Sequence, residues 1–337
     1  MIRAGIVGVT GYGGRELLRL LLPHPHVKVV AAVSSSAVGQ RVDAVLPQFR
    51  SLTDLAFVAF EPEKLAAQCD VVFVGVPGAE STTIVKGLRA AGVRVIDIGP
   101  DFRLKDTKLF AEYYKTEHHA PELLDEAVYG YVPGWREPLR SANLVAVPGC
   151  YPISIITPLR PLLSAPIAPE SIVINSVSGI SGAGRTPSEA LHFPEMNENF
   201  KAYKVAVHQH IPEIEQALNN TWKVQYTPHV APMNRGIHTT IVLRPTANFN
   251  PADYYGDYAS EPFIRVLGEG AAPEVKHVRG TNFIDFGWFH DRRTGNLLLL
   301  CVIDNLVGGT SGMAVQCMNL MFDLEETTGL LYGGLAP

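Results

Sequence analysis

The chain has 337 residues, of which 47% are hydrophobic and 18% charged. That composition is globular and excludes disorder, and the length exceeds one ordinary core, so two domains are expected. The net charge of −5 carries no basic surplus for nucleic acid, and no apolar run is long enough to span a bilayer.

In chain order, Ile2-Arg3-Ala4-Gly5-Ile6-Val7 reads as a buried strand, so the start does not resemble a signal peptide. The glycine run Gly8 to Gly14 follows, then a helix from about Arg15 to Leu22, stopped by Pro23. Val27 to Val33 reads as a strand, and so does Val71 to Val76, bounded by Pro77-Gly78. A helix is expected from Ser81 to Ala91 and a strand from Val93 to Ile98. This β-α-β rhythm implies a parallel sheet covered on both faces, a Rossmann-type α/β domain. After Cys150 the pattern changes. Ser171 to Val177, Thr239 to Leu243 and Leu297 to Ile303 are rich in strand-forming residues and separated by long loops. They suggest an α+β domain with a mostly antiparallel sheet. Apolar residues at helical spacing in Ser311 to Leu324 predict a helix that returns to the first domain. The expected division is 1–148 with 310–337, and 149–309.

Gly8-Val9-Thr10-Gly11-Tyr12-Gly13-Gly14 follows a strand and opens a helix. Its glycines allow close backbone approach, and the helix start offers unpaired N–H groups and a positive dipole end to a diphosphate. An NAD site usually ends its second strand with an acid that grips the ribose 2′-hydroxyl. Here the strand ends Ser34-Ser35-Ser36, with Arg41 nearby. Hydroxyls and a cation suit a 2′-phosphate, so NADP(H) is the expected cofactor. The bland alternative is an N-cap serine run beside a solvated arginine.

The four cysteines, Cys69, Cys150, Cys301 and Cys317, form no C-x-x-C pair and no disulfide framework, which fits a reducing, cytoplasmic setting. Three of them sit in apolar runs. Cys150 sits in Pro148-Gly149-Cys150-Tyr151-Pro152, at the change of pattern. Gly149 allows close approach, and Pro152 suits the first turn of a helix that Pro158 and Pro161 keep short or kinked. A thiol at a helix N-terminus is favoured as thiolate, the attacking form. His208-Gln209-His210, ahead of Pro212-Glu213, supplies acid–base candidates, of which His210 is preferred. Two histidines without a third ligand do not suggest a metal. Ser181, Gly182 and Arg185, in Ser178-Gly179-Ile180-Ser181-Gly182-Ala183-Gly184-Arg185, could hold phosphate or carboxylate. Arg103, in Asp101-Phe102-Arg103 beyond a strand end, is another anion-binding candidate.

Taken together, these motifs resemble the N-acetyl-gamma-glutamyl-phosphate reductase family, relatives of aspartate-semialdehyde dehydrogenase. The matching stretches include Gly8 to Gly14, Asp101 to Leu104, Ala146 to Pro152, Ser178 to Arg185 and His208 to Ile214. Thr227 to His229, Arg235 to Ile237 and Asp304 to Gly309 complete them. The resemblance implies that Cys150 captures an acyl phosphate as a thioester, which NADPH reduces to a semialdehyde. It implies His208 or His210 as acid–base partner, and Asn305 near the nicotinamide, with Pro77 beside the cofactor. It further implies Arg103 and Arg185 on the substrate and assembly as a homodimer or homotetramer through the second domain. Gln209, Gly78 and Gly308 stand where the family often has Arg, His and Lys. Aspartyl phosphate and a carrier-linked aminoadipyl phosphate are the alternative substrates.

Overall fold

The computed structural model describes residues 1–76, 78–165, 167, 169 and 172–336. The chain divides into two compact units, Met1–Pro148 with Thr310–Leu331 and Gly149–Gly309 with Tyr332–Pro337. The final residues depart from the expected division. They join the second unit because Leu335 donates its N–H to Arg279 O (2.8 Å) and accepts from Arg279 Nη2 (2.6 Å).

The first unit carries strands β1 (Ile2–Val7), β2 (Val27–Val33), β3 (Phe57–Val58), β4 (Val71–Val74), β5 (Arg94–Asp97), β6 (Ala127–Tyr129) and β7 (Leu144–Ala146). Its helices are α1 (Tyr12–Leu21), α2 (Val42–Val45), α3 (Pro62–Gln68), α4 (Ala79–Ala90), α5 (Thr107–Tyr114) and α6 (Val132–Arg140). The strands form one parallel sheet in the order β3-β2-β1-β4-β5-β7-β6. Every residue of β4 is buried, as a central strand covered on both faces must be. β1 and β4 are neighbours whose connections leave towards opposite edges. The loops after them therefore meet at a switch point, where such sheets bind ligands.

The second unit contains α7 (Cys150–Leu159), β8 (Ile172–Gly179), α8 (Phe193–Met196), β9 (Lys201–Ala202), α9 (His210–Ala217), β10 (Val224–Ala231) and β11 (Ile237–Leu243). β12 (Ile264–Glu269), β13 (Ile284–Asp291) and β14 (Asn296–Ile303) complete it. The strand order is β12-β13-β14-β11-β8-β10-β9. β8 and β10 pair in parallel, as do β12 and β13, and the other pairs are antiparallel. The sheet is thus mixed. The parallel β8–β10 pair needs a crossover, and α9 lies in it and packs on α7. Hydroxyls stitch α7 to the sheet: Ser154 Oγ lies 2.7 Å and Ser176 Oγ 2.8 Å from Thr239 Oγ1. The opposite face of the same strands leaves Val173, Val177, Val242, Leu298 and Leu300 only half-buried.

A π-helical turn, Val307–Ser311, leads into α10 (Gly312–Met321). All of α10 is buried, against α1, α6 and β5 of the first unit. No helix among the described residues is long and apolar enough to cross a membrane.

Candidate active site

In the first unit, the glycine run turns out of β1 at Gly8, whose φ of +89° is costly for any residue with a Cβ. A Cβ on Gly14 would fall on the carbonyl oxygen of Gly8, so this glycine sets how closely α1 approaches the strand end. Gly11 caps α1 with extended backbone and no side-chain bond. The amides of Tyr12, Gly13 and Gly14 therefore begin the helix without intrahelical acceptors. That arrangement fits a diphosphate. Thr10 contributes its carbonyl, which accepts Arg15 Nε (3.1 Å). Arg15 thus braces the loop with a cation that sequence reasoning missed, although its place directly after the glycines was a usable signal.

At the end of β2, Ser34 Oγ and Ser36 Oγ lie 3.3 Å apart, with no carboxylate on that strand end. This fits a 2′-phosphate better than a 2′-hydroxyl. Arg41, expected at the 2′-phosphate, has acidic neighbours. Its guanidinium is held by Asp43 (2.8 Å) and Asp54 (3.0 Å), so two acids already offset its charge. Arg103, expected on the substrate, has backbone partners. It is 7% exposed and donates to Val147 O (2.8 Å) and Ile98 O (3.0 Å), clamping the ends of β5 and β7. Beside it two buried acids are raised by desolvation, Asp97 to about 6 and Asp101 to about 7. Pro77 lies outside the described residues.

In the second unit, Cys150 is the first residue of α7, behind an extended Gly149. It is half-buried, whereas Cys69, Cys301 and Cys317 are buried. Burial raises all three of those thiols, Cys69 to about 11. An anion at the start of α7 meets the favourable end of the helix dipole. Both chain neighbours of Cys150 reach α9. The Gly149 N–H donates to the buried Glu213 carboxylate (2.8 Å). The Tyr151 ring stands edge-on to His208 (5.6 Å) and His210 (5.9 Å). From another side Gly309 leaves no room for a side chain, since a Cβ there would lie 2.9 Å from Cys150 Cβ.

The two histidines differ in what they can do. His208 Nδ1 accepts the His210 N–H (3.1 Å), so its proton resides on Nε2. Its ring is enclosed by Tyr151, Tyr203 and Tyr226, and burial, then Lys204, lowers it to about 3. His208 is therefore neutral near pH 7, with its Nδ1 lone pair engaged at the start of α9. His210, 4.7 Å from it ring to ring, opens α9. Tyr203 donates to the Tyr151 hydroxyl (3.1 Å), which donates to His229 O (3.1 Å). Burial raises both phenols, Tyr203 to about 12.

Asn305 joins two loops, accepting the Gly236 N–H (2.8 Å) and donating to Ser181 Oγ (3.0 Å). Gly182 and Arg185 are exposed on the loop beyond Ser181. No group of three metal-ligating side chains occurs among the described residues. Sequence reasoning missed Glu213, although its place three residues after His210, on the same helix face, was a signal. It gave no role to Tyr203, Asp304 or Gly309. Nothing local marks Tyr203, which covers the His208 ring and donates to Tyr151.

A model of the semialdehyde dehydrogenase NAD-binding domain matches residues 3–142, and one of the dimerisation domain matches 150–305. The N-acetyl-gamma-glutamyl-phosphate reductase of Desulforudis audaxviator is 46% identical over 100% of both chains. That of Symbiobacterium thermophilum is 46% identical over 99% of this chain and 98% of its own. Among solved structures, aspartate semialdehyde dehydrogenase II of Vibrio cholerae shares the fold with a TM-score of 0.73 at 16% identity. The match covers 96% of this chain and 98% of that one. The Candida albicans aspartate semialdehyde dehydrogenase, described with NADP, matches at 0.69 and 16% identity, over 96% and 99%.

Proposed function

We propose that this chain, which belongs to the N-acetyl-gamma-glutamyl-phosphate reductase family, reduces N-acetyl-gamma-glutamyl phosphate to N-acetylglutamate 5-semialdehyde and phosphate, with NADPH, in arginine biosynthesis. The observation that carries it is Cys150, the one accessible thiol among the four, seated at the start of α7 with Gly149 and Tyr151 both engaged by the His210–Glu213 turn.

In this proposal the Cys150 thiolate attacks the acyl carbon. The C–S bond forms and the C–O bond to phosphorus breaks, so phosphate leaves and a thioester remains on Cys150. Amides in the first turn of α7 lack intrahelical acceptors and can stabilise the oxyanion. The Gly11–Gly14 turn and Ser34 with Ser36 would hold NADPH, which when bound supplies hydride. His210 protonates the alkoxide of the reduced adduct, takes that proton back as the C–S bond breaks, and leaves the aldehyde and the free thiolate. His208 only fixes the start of α9. Ser181, Gly182 and Arg185 border the substrate, and Asn305 fixes the Ser181 loop against Gly236.

The half-buried apolar sheet face of the second unit is a surface that water covers poorly. We assign it to a second copy of the chain in a homo-oligomer working in the cytoplasm. The activity is tested by phosphate-dependent NADP reduction with N-acetylglutamate semialdehyde. Turnover well above that on aspartate semialdehyde or a carrier-linked aminoadipate semialdehyde is expected. Preference for either of those would overturn the substrate assignment.

A further inference from the structure

We infer that residues 332–336 form a strap that positions the turn 304–309 beside Cys150, with Leu335 as its anchoring residue. The strap has no helix or strand, and Leu335 is 60% exposed. Burial of apolar surface is therefore not what holds it on the second unit. It is held by a two-point clamp. Leu335 donates its N–H to Arg279 O (2.8 Å), and Arg279 Nη2 donates to Leu335 O (2.6 Å). Two glycines let the segments approach closely. Gly280 has a φ of +80°, and a Cβ there would lie 2.7 Å from Leu335 Cδ1. A Cβ on Gly334 would fall on His277 O. The strap thus rests directly on residues 277–280.

The residues under the strap grip the turn beside the nucleophile near both of its ends. Gly280, next in chain to Arg279, donates its N–H to Asp304 Oδ2 (2.6 Å). That carboxylate is buried, and its other oxygen accepts the N–H groups of Leu306 (2.8 Å) and Val307 (3.1 Å). Thr281 O accepts the Gly308 N–H (3.2 Å). A Cβ on Gly308 would lie 3.2 Å from Asn282 O, so the two segments are closely packed there. Asp304 O accepts the Gly309 N–H (2.8 Å), and Gly309 is the residue against Cys150. Gly308 and Gly309 have no side chains to anchor, and glycine loses more freedom on ordering than any other residue. Hydrogen bonds from outside the turn must offset that loss, and Gly280 and Thr281 take part in two of them. A shift of about 1 Å at a reacting group can cost roughly a hundredfold in rate, so a brace this near the sulfur bears on turnover.

Hydrogen–deuterium exchange and turnover test this on wild type, Leu335→Pro, Leu335→Ala and a chain lacking 332–337. Proline removes the N–H of the clamp, and alanine keeps it. In the shortened chain and in Leu335→Pro, exchange at the 304–309 amides should quicken about tenfold, the effect of losing one or two hydrogen bonds. The kcat with N-acetylglutamate semialdehyde should fall about tenfold, while NADP affinity and exchange in α1 stay as in wild type. Leu335→Ala should match wild type in both measurements. Unaltered exchange at 304–309 in the shortened chain and in Leu335→Pro overturns the inference. Faster exchange with a wild-type kcat does so too, because the strap would then brace the fold alone. Should the shortened chain melt early, Leu335→Pro decides by itself, and its equality with Leu335→Ala overturns the inference. The turnover arm rests on the reductase function proposed above, and the exchange arm does not. If wild type fails to turn over, that function falls while exchange still decides whether the strap positions the turn.

Discussion

The two units build their sites from different materials. In the first, the cradle is mostly backbone: the conformation of Gly8, the bare start of α1, and a contact at Gly14 too close for any Cβ. In the second, the site is mostly side chains brought from positions far apart: Cys150 beside Gly309, Glu213 on Gly149, Arg235 on Asp304. A backbone site depends on a few neighbouring residues and fails when any of them gains bulk. A side-chain site depends on pairs, and each member has little meaning alone.

Separate failure of the two units is therefore expected. The largest effect belongs to Cys150→Ser, which should lower turnover by roughly a thousandfold or more while NADP affinity is unchanged. Near-normal turnover would remove the thioester mechanism. Gly14→Ala should do the reverse. Its Cβ meets the Gly8 carbonyl, an overpacking that costs about 1–3 kcal/mol. NADP affinity should drop at least tenfold, measured by fluorescence titration, while Cys150 still reacts with iodoacetamide. Ordinary NADP binding by this variant would mean that the cradle is not set by close packing.

Acidity should act with opposite signs on His208 and on the Asp97–Asp101 pair. His208 is lowered from 6.5 to about 3 by burial, so the unfolded chain binds its proton first. The stability it contributes is present above pH 6.5 and is lost as pH falls towards 3. Asp97 and Asp101 are raised from 3.8 to about 6 and about 7, so their contribution is full below pH 4 and is lost as pH rises through 6 to 7. Asp101 faces Asp97, which raises it further, and Arg103, which counters the shift only in part. In melting temperatures measured from pH 4 to 8, His208→Asn should flatten the acid limb. Asp101→Asn should flatten the fall between pH 4 and 7. Parallel curves for wild type and both variants would refute these assignments. The smallest effect is expected for Arg41→Ala. Its ion pairs are exposed and screened by water, and the KM for NADPH should change less than about twofold. A larger change would return Arg41 to the 2′-phosphate.

What the sequence determined by itself was local. A strand running into glycines and then a helix locates the cradle, because φ above zero and helix N-termini leave marks on adjacent residues. A cysteine between glycine and Tyr-Pro likewise marks a helix start, and apolar or strand-forming runs mark the strands. Only the tertiary structure decided which partners each charge meets and which histidine ring is enclosed. Arg41 and Arg103 were equivalent to Arg235 as letters. They differ because Asp43 and Asp54 surround the first, backbone carbonyls clamp the second, and Asp304 steadies the third from across the fold. His208 and His210 separate because Tyr151, Tyr203 and Tyr226 converge on one ring and the His210 amide occupies its nitrogen. Burial and pairing are properties of neighbours in space, and no spacing along the chain encodes them.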